Sequence, residues 1–451
     1  MIGVATVGNA TLIAYDGDPI LATDPWIGDE DSAYFGSWVL THRIPPDQRH
    51  DIMRAKYLWF SHGHPDHLNP GSIERFRGKK ILLPDHVNAR ISQGLLSEGY
   101  DATILPDRTW VQLSTNVKVQ CITTAIQDSV LVADVNGVAF VNLNDAGTKN
   151  CARYLRRLLT AYKRSYLLSL SGYGDADMIN FYDEDGNFVV PPAKNTVRVG
   201  EDLTYLANSI GTTGVIPFSS HHQYQRTDSI WAQEYVTPTF AYRVGLSDAL
   251  EYVEPFSFFD CKSGDTHGLS PQTLPVTPKP PETFGDNWSD VLEKDDLPKL
   301  QAYFSRKERV DKYLSFINFR VGGKDNFITL NGRKDRGITF AVPRTSLMHA
   351  ITYEMFDDLL IGNFMKTTLH NMKSLYDGDF AYNVAKYGDN GRVETEEEIR
   401  AYLAIYRKRA GREFVYDAFL AHAKDIAYRL VSFERGSVGY QLARRAFRAL
   451  K

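Results

Sequence analysis

An octapeptide, Ser61 to Leu68, constrains this chain more than any other stretch. It reads SHGHPDHL and follows the apolar run Ala55 to Phe60 (AKYLWF), which has the composition of a buried strand. Within six positions it places four side chains that bind metals well: His62, His64, Asp66 and His67. A solvated loop has no need of such ligand density, so the octapeptide predicts a metal site where a strand ends.

The spacing of these ligands favours two adjacent ions. His62 and His64 are two positions apart, so an extended chain turns both imidazoles to one side. Asp66 and His67 follow the turn at Pro65 and would face a second ion beside the first. Imidazole nitrogen and carboxylate oxygen bind zinc or iron at about 2.0–2.2 Å, and two such ions can hold one bridging water or hydroxide. We therefore predict one or two divalent metal ions, zinc or iron, and also assign a catalytic role to Asp66.

The octapeptide resembles the metal motif of the metallo-β-lactamase superfamily. More narrowly, Asp24-Pro25-Trp26 and the segment Gly36 to Pro46 (GSWVLTHRIPP) are similar to the corresponding domain of CMP-N-acetylneuraminate hydroxylases, and the similarity continues to about Ser229. The resemblance implies an α/β (α+β) fold, a four-layer αββα sandwich with the metals at one edge. It also implies that Asp24 supports the ligands, because a carboxylate that accepts an imidazole N–H fixes the tautomer that a metal needs.

Two later positions extend the predicted ligand set. Asp145 lies at the end of a predicted hairpin whose turn is Asn136-Gly137, and its two oxygens can bridge two ions. The resemblance implies the same bridging role. His222 follows a predicted strand, Thr213 to Phe218, and we prefer it to its neighbour His221 as the last ligand.

One ligand that the resemblance implies is missing. It places the third histidine of the first metal site at Thr124, and this chain has no histidine between His86 and His221. A neutral threonine hydroxyl is a poor ligand. Gln127 or Asp128 would therefore substitute, or the position would be open or filled by water.

Length and composition predict two domains. The 451 residues exceed one average domain, and the hydrophobic content of 43% is enough for real cores. Residues 1–250 form the predicted catalytic sandwich, and residues 251–295 are proline-rich and predict a linker or surface strap. Residues 296–451 predict a smaller, helix-rich α+β domain. In it we expect an antiparallel meander of three strands: Ile317–Val321, Asn326–Leu330 and Ile338–Val342.

Charge and cysteine content limit the class of protein. The formal net charge of -4 gives no general attraction to nucleic acid or anionic membranes. Cys121, Cys151 and Cys261 are scattered, which argues against both a disulfide framework and a thiolate zinc site. The N-terminus does not resemble a secretory leader, and no apolar run is long enough to span a membrane. We expect a cytoplasmic enzyme with a small-molecule substrate and neither a nucleic-acid nor a membrane partner, of unspecified oligomeric state.

Three functions agree with these features. The first is hydrolysis by a metal-bound hydroxide, as in most of the superfamily. The second is an O2-dependent di-iron hydroxylase. Sialic acid hydroxylases carry a Rieske-type iron–sulfur module with Cys-x-His and Cys-x-x-His pairs, which this sequence does not contain, so this function would require an external reductase. The third is a non-catalytic binding module, against which the intact octapeptide argues.

Overall fold

Two large mixed sheets form the centre of the structure. The computed structural model describes residues 1–169, 180–191, 199–333 and 335–418. The first sheet has eight strands in the spatial order Thr266–Gly268, Ser257–Asp260, Ile2–Val7, Thr11–Asp16, Asp18–Thr23, Tyr57–Trp59, Lys80–Pro84 and Asp101–Leu105. The second has seven, in the order Glu251–Tyr252, Gly214–Pro217, Ser165–Ser169, Val138–Asn144, Ser129–Val135, Val117–Thr123 and Trp110–Gln112.

The two sheets pack face to face because their strands are apolar on both sides. Successive side chains of a strand point to opposite faces, so Val4 contacts the other sheet while Ala5 packs on the outer side. Leu12 of the first sheet joins Phe140 and Leu168 of the second in one buried cluster between the sheets. This shared interior holds the centre of the structure together.

Helices cover the outer face of each sheet. Pro46–Arg54 and Arg90–Ser97 pack on the first sheet, and Ala152–Leu159 and Val199–Ile210 pack on the second. The order of layers is therefore helix, sheet, sheet, helix. The predicted four-layer αββα sandwich is confirmed.

The predicted hairpin at Asn136-Gly137 is also confirmed. It joins Ser129–Val135 to Val138–Asn144, and both turn residues have positive φ, 52° at Asn136 and 80° at Gly137. Left-handed backbone at both positions gives the turn a twist that matches the flanking strands, and asparagine and glycine tolerate it. The second strand of the hairpin ends directly before Asp145.

A third, smaller sheet lies mostly in the second half of the chain. Its strands run in the order Phe181–Tyr182, Lys366–His370, Gly337–Ala341, Phe316–Val321 and Lys324–Thr329. The predicted meander is wrong in its last strand, because Gly337–Ala341 pairs parallel with Phe316–Val321. Alternating hydrophobicity has the same period in parallel and antiparallel strands, so the pattern identifies a strand without giving its direction.

The remaining elements surround these sheets. No described helix combines the length and apolar character needed to cross a bilayer. The longer helices of the second half are Asp296–Ser305, Glu308–Tyr313, Arg344–Tyr353, Phe356–Ile361 and Glu396–Ala410, with a π-helical stretch at Tyr382–Asn390. Short helical turns lie at Pro70–Ile73, Glu74–Phe76, Ile230–Tyr235, Thr239–Arg243, Pro281–Phe284 and Asp377–Asp379, and a two-stranded ribbon pairs Trp38–Leu40 with His222–Tyr224.

The predicted domain limits agree only in part with the observed helices and strands. The range 251–295, predicted as a linker or strap, begins with three strands of the two sandwich sheets, which extend to Gly268. The sequence pattern missed them because the proline-rich part that follows dominates its composition. The division at residues 250 and 295 stays a prediction. The last part of the predicted helix-rich region, residues 419–451, lies outside the described residues.

Candidate metal centre

The carboxyl ends of strands from both sheets meet at one edge of the sandwich. Asp18–Thr23 runs parallel to Tyr57–Trp59 with Thr23 opposite Trp59, so Asp24 and the octapeptide leave the sheet side by side. Asp145 follows Val138–Asn144 of the second sheet. Ligand sites of α/β proteins lie at such carboxyl edges. The fold therefore brings together residues that are distant in sequence.

The carboxylate of Asp24 connects Ser61, His67 and Asn144 at this edge. Its buried carboxylate accepts hydrogen bonds from the Ser61 backbone N–H (2.7 Å), the Ser61 hydroxyl (2.8 Å) and the Asn144 side-chain amide (2.6 Å). The same carboxylate lies 3.1 Å from Nδ1 of His67. Asp24 and Asn144 both have positive φ, 38° and 45°, a strained backbone that clusters at functional sites. By accepting from Nδ1, Asp24 leaves Nε2 of His67 available as a ligand.

His67, Asp66 and Asp145 form what we call the second subsite. The buried Nε2 atom of His67 has no hydrogen-bond partner and lies 3.3 Å from Asp66 Oδ2 and 3.5 Å from Asp145 Oδ2. Two atoms that bind the same tetrahedral ion, each at about 2.0 Å, lie about 3.3 Å apart. Burial by itself would lower the pKa of His67, but Asp66 and Asp145 raise it well above its usual value. His67 Nε2 thus lies within the distance of two ligands of one ion from each carboxylate.

His62, His64 and Asp145 form the first subsite. Nε2 of His62 lies 2.9 Å from Nδ1 of His64 and 3.6 Å from Oδ2 of Asp145. The Ser61 hydroxyl donates to Asp24 and can therefore accept the Nδ1–H of His62, 2.9 Å away. The Nε2 atom of His64 in turn donates to the carboxylate of Asp357, 3.0 Å away. When both imidazoles are neutral, the lone pairs of His62 Nε2 and His64 Nδ1 then face each other, and a bound cation would stabilise this arrangement.

Two side chains from earlier in the chain donate hydrogen bonds to the carboxylate of Asp66. The Tyr34 hydroxyl donates to its Oδ1 atom, and the Asn9 side-chain amide donates to Oδ2 at 3.0 Å. Burial would raise the pKa of Asp66, but His67, His64 and the Tyr34 hydroxyl lower it overall, so the carboxylate is ionised at neutral pH. Tyr34 belongs to the aromatic segment between strand Asp18–Thr23 and the octapeptide, and its contact with Asp66 was not predicted from the sequence. The catalytic role of Asp66 stays a prediction.

His222 and His221 differ in their surroundings, although the Nε2 atom of each is buried without a hydrogen-bond partner, and the choice of His222 as ligand stays a prediction. Both ring nitrogens of His222 are buried without hydrogen-bond partners, and its ring stacks on Trp38 with centroids 3.3 Å apart. Burial lowers the pKa of His222 to about 3, while the charges of Asp66 and Asp145 oppose this, so its imidazole is neutral. The ring of His221 instead packs against Phe256, with centroids 4.7 Å apart.

The loop at Thr124 contains both residues proposed as substitutes for the third histidine. The Thr124 hydroxyl donates to the backbone carbonyl of Asp128 at 2.8 Å and closes the turn. The side-chain amide of Gln127 donates to the Tyr402 hydroxyl at 2.7 Å, on helix Glu396–Ala410, so it serves the contact with the second half of the chain. The Asp128 carboxylate is buried, and burial raises its pKa against the opposing charge of Lys386. Neither side chain belongs to the group of ligand atoms formed by His62, His64 and Asp145, so the substitute for the third histidine stays a prediction.

Two residues of the second half of the chain complete the surroundings. Oδ2 of Asp357 lies 3.0 Å from Nε2 of His64 and 3.1 Å from Nζ of Lys386. Burial would lower the pKa of Lys386, but Asp357 and Asp128 raise it overall, so the ammonium stays charged. Sequence reasoning missed both residues because neither belongs to a motif. The only local signal is that the helix Phe356–Ile361 begins with acidic residues, as helix starts commonly do.

Comparison with known proteins gives low identities. The search against family models found no match. Over 146 residues, 30% of this chain, it is 23% identical to the human protein described as inactive cytidine monophosphate-N-acetylneuraminic acid hydroxylase and 24% identical to the hydroxylase of Pongo pygmaeus. These alignments cover 29% and 25% of the two relatives, so the chain spans less than a third of their length.

Solved structures also resemble this chain. An isothiocyanate hydrolase from Delia radicum gut bacteria is 14% identical, with a TM-score of 0.37 over 59% of this chain and 99% of that one. A diiron β-hydroxylase from Streptomyces venezuelae is 12% identical, with a TM-score of 0.32 over 56% and 48%. The deciding observation is the helix-covered double sheet with the octapeptide at its carboxyl edge. The chain has the metallo-β-lactamase fold.

The side of this metallo-β-lactamase-fold centre that faces solvent is formed partly by the second half of the chain. Asp145, Lys386 and Asp357 keep 24%, 18% and 17% of their side-chain surface exposed, whereas His62 and His67 keep 3% and 1%. The histidines therefore lie deeper than Lys386 and the two carboxylates, which form the accessible side of the centre.

Behind the centre, His86 provides a pH-dependent prediction. Its ring is buried, and burial lowers its pKa to about 3. Since the unfolded chain takes up this proton near pH 6.5, stability present above that pH is lost as the pH falls toward 3. We expect a loss on the order of 3 kcal/mol between pH 6.5 and 4 from this group. Urea unfolding at stepped pH should show a flatter profile for His86→Gln.

The exposed His267 provides the matched control. The His267→Gln variant should keep the profile of the parent, because the side chain of His267 is exposed. If His86→Gln and the parent lose stability equally on acidification, burial of His86 does not contribute to acid sensitivity.

Proposed function

We propose that this chain is a metal-dependent hydrolase that acts on a small-molecule substrate. The observation that carries the proposal is the convergence of buried ligand atoms without protein partners, namely His67 Nε2, Asp145 Oδ1 and both ring nitrogens of His222. Such atoms are costly to bury unless a ligand satisfies them. When bound there, a divalent zinc or iron ion lowers the pKa of a coordinated water toward about 7 and polarises a substrate oxygen.

The protein's own groups would prepare this reaction. Asp24 holds His67 through Nδ1, and Asp357 holds His64 through Nε2, so each imidazole presents its other nitrogen to the centre. Asp66, fixed by its two donors and ionised, would accept a hydrogen bond from an attacking water and orient it. Since Lys386 and Asp145 keep part of their surface exposed, a substrate would enter past these two side chains.

The second candidate is an O2-dependent hydroxylase with an external electron donor. Its support is the similarity to cytidine monophosphate-N-acetylneuraminic acid hydroxylases over 146 residues. That stretch amounts to 30% of this chain, so the substrate of those relatives is a compound to test first and nothing more. A sugar nucleotide would suit a centre with the ammonium of Lys386 on its accessible side, because phosphate groups bind ammonium well.

Metal analysis together with activity assays tests both candidates. Protein purified without added metal is analysed for zinc and iron and assayed on lactones, carboxylic esters, phosphodiesters and CMP-N-acetylneuraminic acid. Zinc with hydrolysis of any of these compounds supports the hydrolase. Iron with hydroxylation that needs both O2 and an added reductant supports the hydroxylase. Protein that holds no metal, and whose His64→Ala variant behaves as the parent in every assay, contradicts both.

A further inference from the structure

The two subsites differ in the number of side chains that serve them. The second subsite has four candidate ligands, Asp66, His67, Asp145 and His222, whereas the first has His62, His64 and the shared Asp145. At the position where the first subsite lacks a histidine, Thr124 uses its hydroxyl to close a turn. Among the described residues, the ligand group of the first subsite thus comprises His62, His64 and Asp145, without Asp128.

The positive charge of Lys386 adds to this difference between the two subsites. Oδ2 of Asp357 contacts both Nε2 of His64 and Nζ of Lys386, so the ammonium and the ligand imidazole share one acceptor atom. Lys386 also acts electrostatically on His62, Asp128 and Asp145. The ammonium thus lies against the first subsite, where its charge repels any cation.

The backbone that carries Lys386 is anchored. Three positions along the same π-helical stretch, the buried Asp389 accepts from Lys307 Nζ (3.0 Å), from the Tyr303 hydroxyl and from the backbone N–H of Phe356 (3.0 Å). Phe356 directly precedes Asp357, so one segment ties both members of the Lys386–Asp357 pair in place. π-Helical stretches are rare and occur often at functional sites. The ammonium is held beside the first subsite by the fold itself.

We propose that Lys386 makes the two subsites unequal, so that one divalent ion binds tightly in the second subsite and a further ion binds weakly in the first. The proposal rests on the metal centre of the proposed function but not on the reaction. Its physical basis is the repulsion between an ammonium and a nearby divalent cation in a partly buried site, where charges are screened less than in water.

Cobalt titration of the metal-free full-length chain tests the proposal. Calorimetry and the visible absorption of bound Co²⁺ report each binding event without an activity assay. The parent should show two dissociation constants at least about tenfold apart, since each decade needs only a small repulsive free energy. In Lys386→Met the weaker constant should improve at least about tenfold, with the tighter one nearly unchanged.

Two variants assign the effect. Lys386→Arg keeps the positive charge and should keep the two constants unequal, which separates charge from the loss of a long side chain. His222→Ala should weaken the tighter constant, because His222 faces the second subsite. Thermal unfolding of each metal-free variant verifies that it is folded, and Lys366→Met provides a control lysine outside the centre.

Equal, tight constants in the parent would overturn the proposal. So would a Lys386→Met protein whose weaker constant matches that of the parent, provided that the variant is folded. Neither result depends on the reaction, so a protein that hydrolyses nothing can still show unequal subsites. Conversely, a proven hydrolase with two equal subsites would refute this inference alone.

Discussion

Replacement of Asp145 by alanine is expected to remove bound metal and to lower hydrolysis by at least about three orders of magnitude, because metal stabilisation of a transition state amounts to several kcal/mol. Its Oδ2 atom lies 3.6 Å from His62 Nε2 and 3.5 Å from His67 Nε2, within reach of both subsites. Loss of this carboxylate therefore affects both ions. Elemental analysis after dialysis is the first measurement, and the rate on a substrate found by the assays above is the second.

Two further substitutions make this result specific. Asp145→Asn keeps an oxygen ligand but removes the charge, so it should retain more metal than the alanine variant. Asp18→Asn changes an exposed carboxylate of the same sandwich, with 80% of its side chain accessible, and should behave as the parent. If Asp145→Ala retains the parent's metal content, Asp145 is not a ligand and the proposed centre is wrong.

Replacement of Asp24 by alanine is expected to lower the free energy of unfolding by about 3–5 kcal/mol, because buried donors lose their charged acceptor. The Ser61 backbone N–H, the Ser61 hydroxyl and the Asn144 amide would each lose their bond to this carboxylate. Metal affinity should also fall about 10–100-fold, as for other groups that orient a ligand histidine. Urea unfolding of metal-free protein and zinc competition with a chelator measure the two effects separately.

The Asp24→Asn variant distinguishes charge from shape. An asparagine keeps the volume and one acceptor oxygen, so it should recover part of the stability and less of the metal affinity. A stable Asp24→Ala protein with the metal affinity of the parent would show that His67 is oriented by something other than this carboxylate.

Much of the site could be predicted because its ligands are local in sequence. Four of them stand within the octapeptide, where a strand end and a spacing of two define their geometry. The hairpin at Asn136-Gly137 was equally readable, since its turn needs left-handed backbone at two adjacent positions. The structure brings these residues together at one edge, and their role as metal ligands stays a prediction.

Other features depend on which distant segments meet, and no local pattern encodes that. His221 and His222 are neighbours with the same chemistry, and only their surroundings, Phe256 for one and Trp38 for the other, separate them. The direction of strand Gly337–Ala341 was mispredicted because hydrophobic alternation is the same in both pairings.

Local order therefore sufficed for the ligand motif, because ligand spacing acts over a few residues. The layered fold and the missing third histidine were implied by the resemblance to the metallo-β-lactamase superfamily. The positions of Asp357 and Lys386 beside His64 follow from tertiary packing instead. Both lie roughly 300 residues from the octapeptide, and they reach it only because Asp389 and Lys307 bind the π-helical stretch to the start of helix Phe356–Ile361. Contacts of this kind arise from the convergence of distant elements, which a sequence pattern does not display.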